Sequence, residues 1–401
     1  MSEPKPEMLV VSHVAPTPED RGDRVRIAGF CREAKRRGWV VRFLLYSAPP
    51  WHDKNLAAAA AAMRDEWDSV EVVTRPAPAC RTLSSARRRA AFSVRYGRAV
   101  EAGWAPAIDL CVDDIVDDVV CQAVADTCSR FPIRAVVAEY VFASRTLEHT
   151  QPGVARVIDT HDRLTRRNRL LREHGVAATW MSLRPGEEKK GLDRADVVLA
   201  IQQTEAEHFR AVTTAAVDTV GHIQPACFLP TARREGRRLR AGLLASSNPI
   251  NVRSTRLMLE EAARTDLRKG AELVVGGSVC EHLGDLTDGV TLAGRVDEVA
   301  SFYGGLDLLI NPMVAGTGLK IKSIEALAYG LPLLSTRCGT EGLPVNHPLH
   351  RLETAEDVAR GIGQLACGES SLDDLRDASR ACFKAYSHKT EQSLDTFFGR
   401  L

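Results

Sequence analysis

The 401 residues carry a formal net charge of +1, so no overall field favours nucleic acid, and their number predicts two or three domains. The ten cysteines include no CxxC pair, which argues against a zinc site or a disulfide framework and favours reduced thiols. No apolar stretch reaches the ~18 residues of a membrane span and residues 1–7 are polar, so we expect a cytoplasmic protein.

The first predicted unit is a strand, a glycine-bearing loop, a helix and a second strand. Residues 8–12 (MLVVS) and 40–46 (VVRFLLY) are typical of buried parallel strands, and residues 25–37 have a helical pattern. Ligands bind at the carboxyl ends of parallel strands, which is where the intervening loop begins. The alternative is a solvated loop with a glycine at its turn. The loop residues expected near a site are His13, Gly22, Asp23 and Arg24.

Residues 81–104 form a basic amphipathic stretch in which six arginines alternate with apolar side chains. Such a stretch can lie on an anionic membrane or bind an anionic acceptor. The alternative is a charged helix face in solvent. Nucleic-acid binding is not expected, because no recognised module accompanies the stretch. The candidates for an acceptor or membrane surface are Arg87, Arg88 and Arg89.

Further apolar runs at residues 135–140 (AVVAEY) and 155–159 (ARVID) predict more strands of the same sheet. His161 follows the second run at once, so it is placed to contact a ligand at the carboxyl edge. The alternative is a helix cap formed through its neighbour Asp162. Four aspartates between residues 113 and 118 lack the spacing of a magnesium site, and we expect them to be solvated and no metal to be bound.

Residues 221–240 are irregular and basic and predict an interdomain linker. A second series of strands and helices follows, in which Asn248 and Asp297 are expected to cap helices. Residues 389–401 predict a last helix that has no room in the second sheet. The predicted strands of this series lie at residues 239–245, 271–275, 290–293, 307–313 and 331–336.

The stretch from Gly316 to Gly330 (GTGLKIKSIEALAYG) is the strongest candidate for a binding site. Its first glycines allow a sharp turn after a buried strand, and the helix that follows presents free N–H groups that can bind phosphate. Lys322, Glu325 and Tyr329 share one face of that helix. An anion site beside a carboxylate that can accept two hydroxyl hydrogen bonds fits a nucleotide diphospho-sugar. The alternative is an ordinary surface turn before a buried helix.

Four segments are informative when taken together: SHVAPTPEDRGDRVR, THDR at residues 160–163, LAGRVDE at 292–298 and GTGLKIKSIEALAYGLPLLST. Their order and spacing resemble the bacterial family 4 glycosyltransferases, which are retaining enzymes of the GT-B fold. The resemblance implies an α/β protein with two Rossmann-like, doubly wound domains facing a central cleft. The expected domains are an acceptor-side domain at 1–228, a donor domain at 229–385 and a helix at 386–401 that crosses back.

By this resemblance, Glu325 holds the ribose hydroxyls of the donor, and the backbone at Gly318 and Leu319 approaches its diphosphate and sugar. Gly22 matches a glycine that lies against the donor phosphates. His161 matches a histidine that hydrogen-bonds the donor sugar, and it is the expected catalytic residue.

Two departures from the family pattern affect the donor site. The family commonly has a second acid eight residues before the ribose carboxylate, where this chain has Thr317. Its usual arginine and lysine pair is also not evident, so other basic residues are candidates for balancing the phosphate charge. The remaining donor-binding candidates are Asp23, Asn248, Arg253, Val296 (near the nucleobase), Lys320 and Lys322.

The resemblance implies transfer of a sugar from a UDP- or GDP-sugar to an acceptor hydroxyl, with retention and without a metal or cofactor. The acceptor would be a glycan, a lipid-linked group, a peptide or a small molecule in polysaccharide or glycoconjugate synthesis. The enzyme would work in the cytoplasm or at the inner face of the membrane. The alternatives are a nucleotide-sugar epimerase on the same fold and a non-catalytic nucleotide-sugar-binding protein.

Overall fold

In a computed structural model the chain forms two compact units. Unit 1 comprises Met1–Arg169, Ala178–Ile223 and Gln392–Leu401, and unit 2 comprises Leu170–Ala177 and Gln224–Glu391. Except for Val94, the basic stretch with Arg87, Arg88 and Arg89 lies outside the described residues. The structure describes residues 4–47, 55–73, 94, 109–176, 182–230, 237–265, 267 and 270–401.

Unit 1 is built on a seven-stranded parallel sheet with the order β3-β2-β1-β4-β5-β6-β7. Its central strands are continuous apolar runs because helices cover both faces of the sheet. The strands are β1 (Glu7–Ser12), β2 (Val40–Tyr46), β3 (Ser69–Val73), β4 (Ile133–Glu139), β5 (Ala155–Asp159), β6 (Val197–Ala200) and β7 (Ala216–Thr219).

The helices that begin in unit 1 connect these strands. The Asp117 side chain accepts a hydrogen bond from Val120 N, and this cap fixes the start of the helix at Asp118. The helices are α1 (Gly22–Arg36), α2 (Leu56–Met63), α3 (Asp118–Arg130), α4 (Arg167–Glu173), α5 (Glu187–Leu192) and α6 (Gln203–Val212).

Unit 2 is built on a five-stranded parallel sheet with the order β10-β9-β8-β11-β12. Its strands are β8 (Leu239–Leu244), β9 (Ala271–Gly276), β10 (Val290–Gly294), β11 (Leu308–Asn311) and β12 (Leu333–Ser335). Its helices are α7 (Pro249–Arg264), α8 (Val299–Gly304), α9 (Ile321–Ala328), α10 (Ala355–Cys367) and α11 (Leu372–Phe398), whose last residues belong to unit 1.

Each sheet has one point where the strand order reverses. In unit 1 it lies between β1 and β4, and in unit 2 between β8 and β11. Ligands of doubly wound sheets bind in the crevice outside the carboxyl ends of the strands at such a point. The loops that follow these four strands are therefore where each unit is expected to bind a ligand.

The structure confirms the predicted parallel strands but differs from the sequence predictions in three details. The short edge strand β7 was not predicted, because its sequence, AVDT, has no apolar run. Glu298 rather than Asp297 precedes α8, without a side-chain cap, since Asp297 pairs with Arg295. The last helix begins at Leu372, not near residue 389, because no glycine or proline interrupts the helical pattern.

The described helices contain none that is both long enough and apolar enough to cross a bilayer.

Candidate functional site

The turn that follows β11 in unit 2 depends on its glycines. Gly316 has φ 138° and Gly318 φ 71°, both in a region that L side chains rarely adopt. The ammonium of Lys320 lies 2.9 Å from the carbonyl oxygen of Gly318 and 3.7 Å from the carboxylate of Glu341. Lys320 therefore donates hydrogen bonds to the turn's own carbonyl groups, and it precedes α9 at the N-cap position.

A buried polar contact fixes the start of α9 to the end of β11. The Asn311 side-chain amide donates to Ser323 Oγ at 2.7 Å, and Ser323 Oγ donates to the Gly339 carbonyl oxygen at 2.7 Å. The helix N-terminus is thereby held at the carboxyl edge of the sheet. Free N–H groups and the positive end of the helix dipole at that edge favour an anion.

Glu325 lies on α9. One of its two carboxylate oxygens accepts hydrogen bonds from described residues, and the other is open to a ligand. Its Oε2 accepts hydrogen bonds from the Tyr303 hydroxyl and from the Lys322 ammonium, each at 2.8 Å. Among the described residues none is bonded to Oε1. A partly exposed carboxylate with one open oxygen can accept hydrogen bonds from hydroxyl groups of a ligand.

The ends of β9 and β10 in unit 2 lie close together because glycines follow or end both strands. Gly277, with φ 93°, donates from its N–H to the Gly294 carbonyl oxygen at 2.6 Å. A Cβ atom at Gly276 would lie 2.9 Å from the Val296 side chain, so a larger residue there would displace Val296. Val296 is half-buried, next to the loop that begins α8.

The other predicted donor residues of unit 2 have varied surroundings. The Asn248 side chain accepts from Ile250 N at 3.1 Å and caps α7, as predicted. Arg253 is exposed on the first turns of α7. Thr317 is half-buried and Leu319 is buried, both in the glycine turn.

In unit 1, Gly22 is the first residue of α1 and Arg21 is its N-cap. The Arg21 guanidinium is 2.7 Å from Asp23, in the first turn. Burial alone would raise the pKa of Asp23, but the charge and hydrogen bond of Arg21 outweigh it and the pKa lies below its usual value. Asp23 is therefore a paired carboxylate. Arg24 is half-buried and its guanidinium hydrogen-bonds the Pro18 carbonyl oxygen.

His13 follows β1 directly and is buried among aromatic rings. Its ring centroid lies 5.4 Å from that of Tyr140 and 5.9 Å from that of Tyr46. Burial lowers the pKa of His13 to about 4, against the attraction of Asp23, so the ring is neutral at physiological pH.

His161 follows β5 in a strained backbone conformation with φ 59°. Its ring stacks on Tyr140 at 4.1 Å, and its Nε2 atom lies 2.6 Å from Glu139 Oε2. Burial opposes a charge on the ring, but Asp159 and Glu139 outweigh it and raise the pKa of His161. Among the residues with described side chains, none bonds the second ring nitrogen, Nδ1.

Two buried carboxylates hold the loop that carries His161. Glu188 accepts from Leu164 N at 2.6 Å and from the Thr165 hydroxyl at 2.8 Å. Glu205 accepts from Arg163 N at 3.1 Å. These bonds fix the chain just beyond the strained residue, which explains how its unfavourable φ is maintained.

A second buried ion pair lies beside His161. Arg26 binds Asp159 with a shortest distance of 2.6 Å, and Asp159 is 3.7 Å from the His161 ring. Ligand atoms of Glu139, Asp159 and His161 lie within 4.8 Å of one another and could hold a metal ion. Arg26, however, hydrogen-bonds both Asp159 oxygens, so a positive charge already occupies this side of the group.

Sequence reasoning missed Tyr303, Glu139, Tyr140 and Arg26. Glu139 and Tyr140 could have been found, because they end a predicted strand at the same edge as His161. Tyr303 and Arg26 lie in helical patterns without a distinguishing signal. In the structure Lys322 and Glu325 form an ion pair on α9, the helix that follows the glycine turn.

Residues 240–367, all within unit 2, match a protein-family model described as "Glycosyl transferases group 1". A curated protein of Klebsiella pneumoniae, an "uncharacterized 44.6 kDa protein in cps region", is 37% identical over 51 residues. That match spans 13% of this chain and 13% of the length of the relative.

Solved structures resemble the chain over almost its whole length. A sucrose-phosphate synthase from Thermosynechococcus elongatus matches with a TM-score of 0.61 and 14% identity, over 99% of this chain and 100% of the other. HepE from Anabaena, solved with UDP and glucose, matches with a TM-score of 0.63 and 12% identity, over 98% and 99%. With the two sheets described above, these likenesses define a GT-B-type α/β fold of two Rossmann-like units.

Proposed function

We propose that the protein is a glycosyltransferase that moves a sugar from a nucleotide diphospho-sugar to an acceptor hydroxyl with retention. One observation carries the proposal: Glu325, with an open carboxylate oxygen, lies on the helix that directly follows a glycine turn. This pair of features can bind a ribose and a diphosphate together. The family-model match covers the same residues, and HepE was solved with UDP and glucose, so UDP is the first nucleotide to test.

The proposed chemistry requires stabilisation of a leaving nucleoside diphosphate. Negative charge increases on its phosphate oxygens in the transition state, close to the N-terminus of α9. One preorganised N–H donor of this kind typically lowers a barrier by about 3–4 kcal/mol. Metal-independent transfer is part of the proposal, with the Lys322 ammonium as an additional positive charge. His161 would hydrogen-bond the sugar through Nδ1, because Glu139 occupies Nε2.

The test is a panel of nucleotide sugars incubated with the purified protein and simple glycosyl acceptors, with and without EDTA. We expect a glycosylated product with the anomeric configuration of the donor, detected by mass spectrometry and NMR, at a rate that EDTA does not change. An inverted product would overturn retention, and loss of activity with EDTA would overturn metal independence.

The same panel separates the alternatives. Isomerised sugar formed without an acceptor would indicate an epimerase. Nucleotide-sugar binding without any turnover would indicate a binding protein. Either result would overturn transferase activity.

A further inference from the structure

Tyr303 of α8 has a buried hydroxyl whose partner is a carboxylate of the proposed site. The side chain is completely buried, and its hydroxyl donates to Glu325 Oε2 at 2.8 Å. The ring packs against Tyr329 and Phe302, with centroids 5.0 and 5.8 Å away. A phenylalanine would fill the same apolar space without a polar atom to satisfy. The hydroxyl therefore adds one thing to the packing, a hydrogen bond to Glu325.

The two donors to Glu325 differ in how firmly they can hold it. The Lys322 side chain is 44% exposed, so its attraction is weakened by solvent and its chain is free to move. Tyr303 is enclosed, has two side-chain torsions and approaches from the interior. Both donors use Oε2. The tyrosine therefore determines which oxygen points inward and leaves Oε1 for a ligand.

We propose that Tyr303 is a positioning residue that preorganises Glu325 to receive the ribose hydroxyls of the nucleotide. A glutamate loses rotamer freedom when it binds a diol, and a fixed carboxylate has already lost it before the ligand arrives. Tyr303 itself does not contact the nucleotide. The inference rests on the proposed function, because it assumes a ribose at Glu325.

The test compares Tyr303→Phe with Tyr329→Phe. Tyr329 belongs to the same ring cluster, and its backbone N–H donates to the Glu325 carbonyl oxygen at 3.1 Å. Its hydroxyl is not among the described donors to the Glu325 carboxylate, so Tyr329→Phe controls for loss of a hydroxyl in this environment. Calorimetry with UDP, GDP and ADP identifies the nucleotide that binds the wild type. Its affinity is then measured for each variant with the ribonucleotide and with the 2′,3′-dideoxy analogue.

We expect Tyr303→Phe to weaken binding of the ribonucleotide about tenfold, the size of one hydrogen bond to a charged group. Binding of the dideoxy analogue, which has no diol for Glu325, is expected to change less than about twofold. Tyr329→Phe is expected to leave both affinities unchanged. With a donor sugar, the Tyr303 variant should raise KM while leaving kcat nearly constant.

A second comparison distinguishes an effect that acts through Glu325 from a general loss of structure. In a Glu325→Ala background, adding Tyr303→Phe should have almost no further effect on ribonucleotide affinity, because the residue acts through Glu325.

Equal losses for the ribonucleotide and the dideoxy analogue, or an undiminished effect in the Glu325→Ala background, would show a structural role and overturn the inference. Unchanged binding by Tyr303→Phe would also overturn it while leaving the proposed function intact. If the wild type binds no nucleoside diphosphate, the proposed function itself is wrong and the inference with it.

Discussion

At the residue scale, the raised pKa of His161 follows from its buried neighbours. Two carboxylates, Glu139 and Asp159, and one guanidinium, Arg26, surround the ring. With a neutral imidazole this group would have one uncompensated negative charge away from water, which is costly. Asp159 and Glu139 therefore raise the pKa of His161, and burial raises the pKa of Glu139 as well, so both groups of this pair favour the protonated form.

Replacing Glu139 with glutamine tests this charge balance. Because the pKa of His161 is raised above the unfolded value of 6.5, its contribution is fully present below pH 6.5 and is lost as the pH rises through the folded-state pKa. We expect Glu139→Gln to lower the free energy of unfolding by about 2 kcal/mol at pH 6, and by less as the pH increases. Urea unfolding from pH 5 to 9 measures the difference, and a constant difference would contradict the charge assignment.

Glu325 provides the second prediction at this scale. Glu325→Ala removes the open oxygen and is expected to cost about 1.5–3 kcal/mol of nucleoside diphosphate affinity, the range for hydrogen bonds to a charged group. Calorimetry measures the change. The matched control is Glu356→Ala on α10, which also loses a surface ion pair, with Arg360, but lies outside the proposed site. Equal affinities of the two variants would be evidence against ribose binding at Glu325.

At the element scale, the turn between β11 and α9 has backbone angles that favour glycine, and it lies at the carboxyl edge of the sheet, where a ligand is expected. Gly318 has φ 71°, and Lys320 is folded against the carbonyl groups of the turn. The conformation therefore depends on residues that are next to each other in the chain. Asn311 and Ser323 then fix the turn to the sheet.

Gly318→Ala and Gly368→Ala separate strain from function. Gly318 and Gly368 have similar positive φ angles, 71° and 76°, at which an alanine costs about 1–2 kcal/mol. Gly368 ends α10 and has open space around it. We expect similar losses of stability in thermal unfolding. Gly318→Ala alone should weaken nucleoside diphosphate binding, by tenfold or more, because it moves the amide groups of the turn. Equal nucleoside diphosphate affinities of the two variants would show that the turn does not bind phosphate.

At the scale of the whole molecule, α11 belongs to both units. Its last residues, from Gln392 onward, are part of unit 1, where Phe397 is completely buried. The Phe397 ring lies 5.9 Å from that of Phe30, and Arg37 is 2.7 Å from Asp395. The core of unit 1 is therefore completed by the end of the chain.

Two substitutions on α11 are expected to act on different units. Removing a buried phenylalanine costs about 3–5 kcal/mol. Phe397→Ala should reduce amide-exchange protection in peptides of unit 1, and Phe383→Ala, buried beside Phe228 in unit 2, should reduce it there. Hydrogen exchange with mass spectrometry measures each unit separately, which one unfolding midpoint cannot do. Loss of protection in the same unit for both variants would contradict this division.

The sequence alone determined the features that depend on neighbouring residues. Apolar runs separated by helical patterns specified parallel strands, and the spacing of Lys322 and Glu325 placed both on one helix face. The glycines at 316 and 318 predicted the turn, because few other residues tolerate its backbone angles. The position of His161 directly after a predicted parallel strand also placed it at the carboxyl edge of a sheet.

Which side chains meet across long stretches of sequence depends on the tertiary structure. Tyr303 lies 22 residues from Glu325, Glu139 lies 22 from His161, and Arg26 lies 133 from Asp159. No local pattern specifies such pairs, since each partner is also a plausible solvated or core residue in its own helix or strand. Strand order and helix packing bring them together, and burial then makes their hydrogen bonds obligatory.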